Sequence, residues 1–128
     1  MRNIILMLML SLVSSNAMAE WIEVGRYGDM TLYVDYSTIR KHGNLVKMWS
    51  LIDRSKFDTV DNKQYKSVKQ QWEFNCVEEQ NRMLYASYHT GNMGKGEVFD
   101  VISEPSEMMP IPPNSGNEIQ WNIACSKK

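Results

Sequence analysis

From Lys66 to Cys76 the chain alternates. Val68, Trp72, Phe74 and Cys76 hold even positions, while Ser67, Lys69, Gln71, Glu73 and Asn75 hold odd ones. A period of two is the mark of a strand, here with one face buried and the other wet. Cys76 is in phase with Trp72 and Phe74, so its sulfur is expected on the apolar face. The same period recurs in Arg82–His89, where Leu84, Ala86 and Tyr88 share a phase, and in Met30–Asp35, where Leu32 and Val34 oppose Thr31 and Tyr33. Trp21–Gly25 and Glu97–Ile102 read as two further short strands. The segment Leu45–Asp53 differs, because Met48 and Ile52 point one way while Trp49 and Leu51 point the other. A strand apolar on both faces belongs in the middle of a sheet that is at least partly covered on each side.

The connections carry their own signals. Between Asp35 and Leu45, the Asp35 side chain is placed to cap a single helical turn through Ser37, Thr38 and Ile39. Gly43 is placed to end that turn in the left-handed region. GRYGD and VEEQN read as turns, and TGNMGKG as a mobile glycine-rich one. SEPSEMMPIPPN holds four prolines, which cannot lie inside a sheet or helix. Ser115-Gly116-Asn117-Glu118 then has the form of a capping box, opening a helix through Ala124 with Ile119 and Ile123 on one face.

The N-terminus reads differently from the rest. Arg2 precedes an apolar run from Ile4 to Val13, and Ala17-Met18-Ala19 supplies small residues at the −3 and −1 positions. This predicts a secretory signal peptide over residues 1–19, cleaved between Ala19 and Glu20. The run is about ten residues, short of the roughly 20 needed to span a membrane. No cysteine lies near the cleavage site to accept a lipid, so neither a membrane span nor a lipid anchor is expected. Residues 20–128 are then one domain with one modest core.

Export changes the meaning of the two cysteines, Cys76 and Cys125. In an oxidising compartment an even count predicts one disulfide. It would close a loop of about 50 residues and stabilise the fold by ~4 kcal/mol. Because Cys125 ends the helix and Cys76 lies on the apolar face, the bond would strap the helix to that face. The expected fold is therefore α+β: roughly six antiparallel strands with one C-terminal helix tethered to one face by a disulfide.

Charge and chemistry narrow the function. Fourteen basic residues against 15 acidic, with signs interspersed, offer no electrostatic footprint for nucleic acid. No G-x-S-x-G elbow is present, and His42 and His89 both sit among polar residues as surface histidines would. Glu78-Glu79 reads as a solvated pair in a turn. The spacings of Cys76, Cys125, His42 and His89 match no zinc motif. GNMGKG links two strands and lacks a following helix, so it is not a phosphate loop. No catalytic residue, cofactor or metal is expected, and the chain reads as a non-enzyme. The aromatics facing away from the helix, Tyr33 and Trp49, are candidates for a partner interface or a homodimer contact.

One segment is more specific than any of these. Y-V-D-x-x-T-I-x-x-x-G-N-x-V-K-M-W, from Tyr33 to Trp49, together with W-I-E-V near the start of the domain and the lone Cys76 and Cys125, resembles the surface-adhesin protein E family. The similarity spans nearly the whole of residues 20–128. It implies an exported domain of Gram-negative bacteria, an antiparallel sheet with a disulfide-tethered helix, and binding of host proteins such as laminin, vitronectin and plasminogen. It supplies no catalytic residues. Two functions follow as expectations: an adhesin-like binding module at the surface or in the medium, or a periplasmic cell-envelope or stress-related protein with no host contact.

Overall fold

The computed structural model describes residues 19–126. Apart from Ala19, the expected signal peptide lies outside the described residues. The chain forms β1 (Ile22–Tyr27), β2 (Met30–His42), β3 (Leu45–Val60), β4 (Lys63–Asn75), β5 (Gln80–His89), β6 (Val98–Ile102), β7 (Met109–Pro110) and α1 (Gly116–Ser126). Strands β1 to β6 lie side by side in sequence order, every pairing antiparallel, and the two-residue β7 pairs with β5. Pro110, expected outside any sheet, thus joins it at its edge, where a proline is tolerated. The α+β architecture anticipated from strand phase is thus the one adopted. No helix among the described residues is long and apolar enough to cross a membrane.

The core lies between the sheet and α1. Val34, Val46, Met48, Phe74 and Ala124 are fully buried together, with Trp72, Trp121, Ile123 and the Cys76 and Cys125 sulfurs packed against them. A disulfide joins Cys76 to Cys125. The Trp121 indole N–H donates to the Asn75 carbonyl at 2.9 Å, one residue from that bond. Helix and strand end are therefore joined both covalently and by hydrogen bonding.

At the other end of α1, the Glu118 backbone N–H donates to Ser115 Oγ at 3.2 Å, as the capping box requires. The Glu118 carboxylate reaches back to the Asn114 N–H at 3.3 Å, one residue before the position such a box normally uses. The helix buries Gln120 and Ala124 most deeply, with Ile119 and Ile123 flanking them half-buried.

Three expectations from the sequence are corrected. Residues 37–39 form no helical turn, because β2 runs on from Met30 to His42 with a shift of register between Asp35 and Arg40. The Asp35 carboxylate accepts from the Ser37 backbone N–H at 3.0 Å, as a cap would. Thr38 Oγ1, however, accepts the N–H of Trp49 on the neighbouring strand at 3.0 Å. That bond substitutes for a ladder bond and holds the segment in the sheet as a bulge.

Secondly, β3 and β4 reach past Asp53 and Lys66 to a tight hairpin at Asp61-Asn62, both in the left-handed region with φ of 48° and 64°. Two such residues between paired strands form the turn whose twist suits a hairpin. The Arg54–Val60 arm is mostly exposed and carries no clean alternation, so its period could not announce it.

Thirdly, the odd-numbered face of β4 is not wet. Ser67 is fully buried and Glu73 only 6% exposed. The turn read as mobile is what covers Ser67. Met93 N–H donates to Asp53 Oδ1 at 2.8 Å, Gly94 N–H to Ser67 Oγ at 2.9 Å, and Ser67 Oγ–H to the Gly91 carbonyl at 2.6 Å. The loop is thereby stapled down over the second face of the sheet.

Candidate binding face

The face of the sheet opposite α1 follows from the register. One row across β2, β3, β4 and β5 is Asp35, Trp49, Gln71 and Tyr85; the next is Tyr33, Leu51, Lys69 and Ser87; the next is Thr31, Asp53, Ser67 and His89. Side chains in successive rows stand about 7 Å apart along each strand. This surface therefore mixes aromatic anchors with polar and charged groups.

Trp49 and Tyr85 meet edge to face with ring centroids 5.3 Å apart, a favourable geometry for two aromatic quadrupoles. They border an open cavity of about 410 Å³ that is also lined by Trp21, Asp35, Lys69 and His89. Tyr33, the other aromatic singled out from the sequence, lies half-buried on the same face one row away and does not line the cavity. The structure thus places both expected residues on one face but brings only Trp49 into the concavity.

His89 departs from its expected place. It is 4% exposed rather than on the surface, because β5 carries it beneath the stapled loop. Its Nε2 lies 2.8 Å from Ser87 Oγ, while Nδ1 has no hydrogen-bond partner among the described residues. Burial, and secondarily the Lys69 ammonium, holds the imidazole below its ordinary value of 6.5, so the ring is neutral at neutral pH. A serine and a neutral histidine in contact suggest nucleophilic catalysis, but general-base work also needs a group that orients the ring through its other nitrogen. Among the described residues no such group stands at Nδ1. His42 sits exposed at the β2–β3 hairpin, as anticipated.

Elsewhere on this face Glu73 pairs with Arg82 at 2.7 Å across β4 and β5. Among the described residues no three His, Cys, Asp or Glu side chains are arranged to hold a metal ion. Tyr85, Ser87 and His89 share the odd phase of β5, so alternation alone could have grouped them. Placing Asp35, Trp49 and Lys69 beside them required the hairpin registers.

The fold and sequence can be set against known proteins. A comparison with curated protein sequences finds no match. Among solved structures, crystal form II of Haemophilus influenzae protein E superposes with a TM-score of 0.68 at 14% identity, covering 91% of this chain and 94% of that one. A second structure of Haemophilus influenzae protein E gives 0.65 at 14% identity, with 91% of each chain covered. Protein E from non-typeable Haemophilus influenzae gives 0.63 at 14% identity, covering 91% of this chain and 82% of that one. At such identity these likenesses establish the fold. The sequence pattern of the surface-adhesin protein E family matches residues 21–126, and the chain belongs to that family.

Proposed function

We propose that this protein is an exported, non-enzymatic binding module that engages extracellular protein partners through the sheet face opposite α1. The observation that carries the reading is the Trp49–Tyr85 pair at the border of an open cavity on that face. Interface energy concentrates in a few aromatic or arginine anchors set in partly enclosed pockets and ringed by polar groups. Trp49 and Tyr85 have that setting, with Lys69 and Gln71 beside them. Membership of an adhesin family supports the same role.

Laminin, vitronectin and plasminogen, which the family resemblance implies, are the partners to try first. Residues 20–128, refolded with the disulfide intact, would be titrated over each immobilised protein. Trp49→Ala and Tyr85→Ala should each weaken binding tenfold or more, equivalent to about 1.4 kcal/mol. Tyr27→Ala, on the helix side of the sheet, should leave it unchanged. No saturable binding to any of the three would overturn the host-protein reading, and equal loss in all three variants would overturn the assigned face.

A second reading, a periplasmic envelope protein without host contact, is favoured by one feature. The stretch SSNAMAE ahead of the domain holds no cysteine to acylate. Antibody labelling of intact against permeabilised cells, with a blot of the medium, separates the two. Signal confined to permeabilised cells would turn the search for partners to the periplasm.

A further inference from the structure

We propose that Asp35 is the binding site for the α-ammonium group that signal-peptide removal creates at Glu20. The inference rests on the reading of this chain as an exported one cleaved after Ala19. Asp35 is 3% exposed. Its Oδ1 accepts from the Ser37 backbone N–H at 3.0 Å and from Ser37 Oγ–H at 2.6 Å. Its Oδ2 accepts from the backbone nitrogen of Glu20 at 3.1 Å. Among the described residues no lysine or arginine forms an ion pair with it. A buried carboxylate without a countercharge is costly, and native proteins avoid one unless it is paired or serves a purpose.

Hydrolysis of the Ala19–Glu20 peptide bond supplies the countercharge at that place. One water is consumed, the carbonyl carbon of Ala19 parts from the Glu20 nitrogen as a carboxylate, and the released amine takes up a proton. A neutral amide with one N–H becomes an ammonium with three, already within hydrogen-bonding distance of Asp35 Oδ2. Ala19 and Trp21 both line the cavity that Asp35 borders. Cleavage therefore removes one wall residue and leaves Trp21, the second residue of the mature chain, against the other. In the precursor Asp35 holds a dipole; in the mature protein it holds a charge. The mature N-terminus becomes part of the second face, and the site is complete only after processing.

The test uses the mature protein purified from the periplasm, with intact mass first fixing where it begins. The α-amine of isotopically labelled Glu20 is then titrated by NMR. Besides Asp35, the titratable groups lining the same cavity are Lys69, Tyr85 and His89, and the labelled nitrogen distinguishes its own titration from theirs and from that of the Glu20 side chain. An unpaired α-amine titrates near 8; pairing with Asp35 should raise this by at least about one unit, and Asp35→Asn should return it. Nα-acetylation should lower the thermal midpoint of the wild type and leave that of Asp35→Asn unchanged. A mature N-terminus at any residue other than Glu20, an α-amine titrating at its ordinary value in the wild type, or an equal loss on acetylating both forms would overturn the proposal. If Asp35→Asn does not fold, the wild-type titration still decides.

Discussion

The backbone N–H of Gly94 donates to the hydroxyl oxygen of Ser67, 27 positions earlier in the chain, and the same hydroxyl donates to the Gly91 carbonyl. One fully buried oxygen thus ties both ends of the glycine-rich loop to the centre of β4. Gly94 sits at φ 72°, in the left-handed region that side chains with a Cβ rarely adopt. The loop closes over this face because glycine permits that backbone conformation.

Ser67→Ala should therefore unfasten the loop. It leaves a buried N–H and carbonyl without their partner, a loss of about 1–3 kcal/mol. Urea unfolding should report that decrease, and amide exchange at Gly94 should accelerate well beyond what the global loss of stability predicts. Unchanged protection at Gly94 would show that the loop is held by Asp53 alone.

Asp53 makes a second, separable prediction. Its Oδ1 accepts from Met93 N–H and from Asn92 Nδ2. Asp53→Ala should cost about 1–2 kcal/mol. Because Ser67 and Asp53 hold the same loop, the double substitution should cost less than the sum of the two singles in a thermodynamic cycle.

The Cys76–Cys125 bond closes a span of 49 residues. Cys76→Ser with Cys125→Ser should lower stability by about 2–5 kcal/mol. The sheet should survive better than the helix, since α1 depends on that bond and on Trp121 for its position. Far-ultraviolet circular dichroism that loses helical signal before strand signal on reduction and heating would bear this out. Simultaneous loss of both would show one cooperative unit.

The core beneath α1 should be more sensitive to truncation than the aromatics of the second face. Phe74→Ala removes a fully buried ring from the cluster of Val34, Val46 and Met48 and should cost about 3–5 kcal/mol. Tyr33→Ala, half-buried on the second face, should cost markedly less. Chemical denaturation of the two variants side by side checks the ranking.

His89 gives the fold a pH dependence of definite sign. Its folded value lies below 6.5, for burial first and Lys69 second, so the unfolded chain takes up the proton more readily. The contribution is fully present above pH 6.5 and is lost as pH falls from there towards the folded value. Stability of the wild type should decline over this window, and His89→Gln, which keeps a partner for Ser87, should flatten the slope. An identical slope in both proteins would assign the decline to other groups.

Much of the architecture could be read along the chain because it is local. The alternation from Lys66 to Cys76, the box at Ser115–Glu118 and the phase of Cys76 each depend on residues only a few positions apart. Helix, most strands and the disulfide followed from them. What alternation could not convey was which polar residues of the second face would be covered. Ser67, Glu73, Ser87 and His89 have the polarity of a wet surface, yet they are buried; the loop at 91–96 is bonded down onto Ser67, and Glu73 lies against Arg82 of the next strand.

The long hairpin arm from Arg54 to Val60 was hidden for a related reason. Its pairing is held by the turn at Asp61-Asn62 and by Arg54 bridging Asp29 at 3.2 Å, not by a buried apolar stripe. The bulge at Asp35–Arg40 likewise depends on Thr38 reaching across to Trp49. The chain's own periodicity determined the strands, the capped helix and the covalent strap, since these arise from neighbours in sequence. Only tertiary structure decided the candidate binding face, because Asp35, Trp49, Lys69 and Tyr85 come from four strands and meet solely through the registers of the hairpins between them.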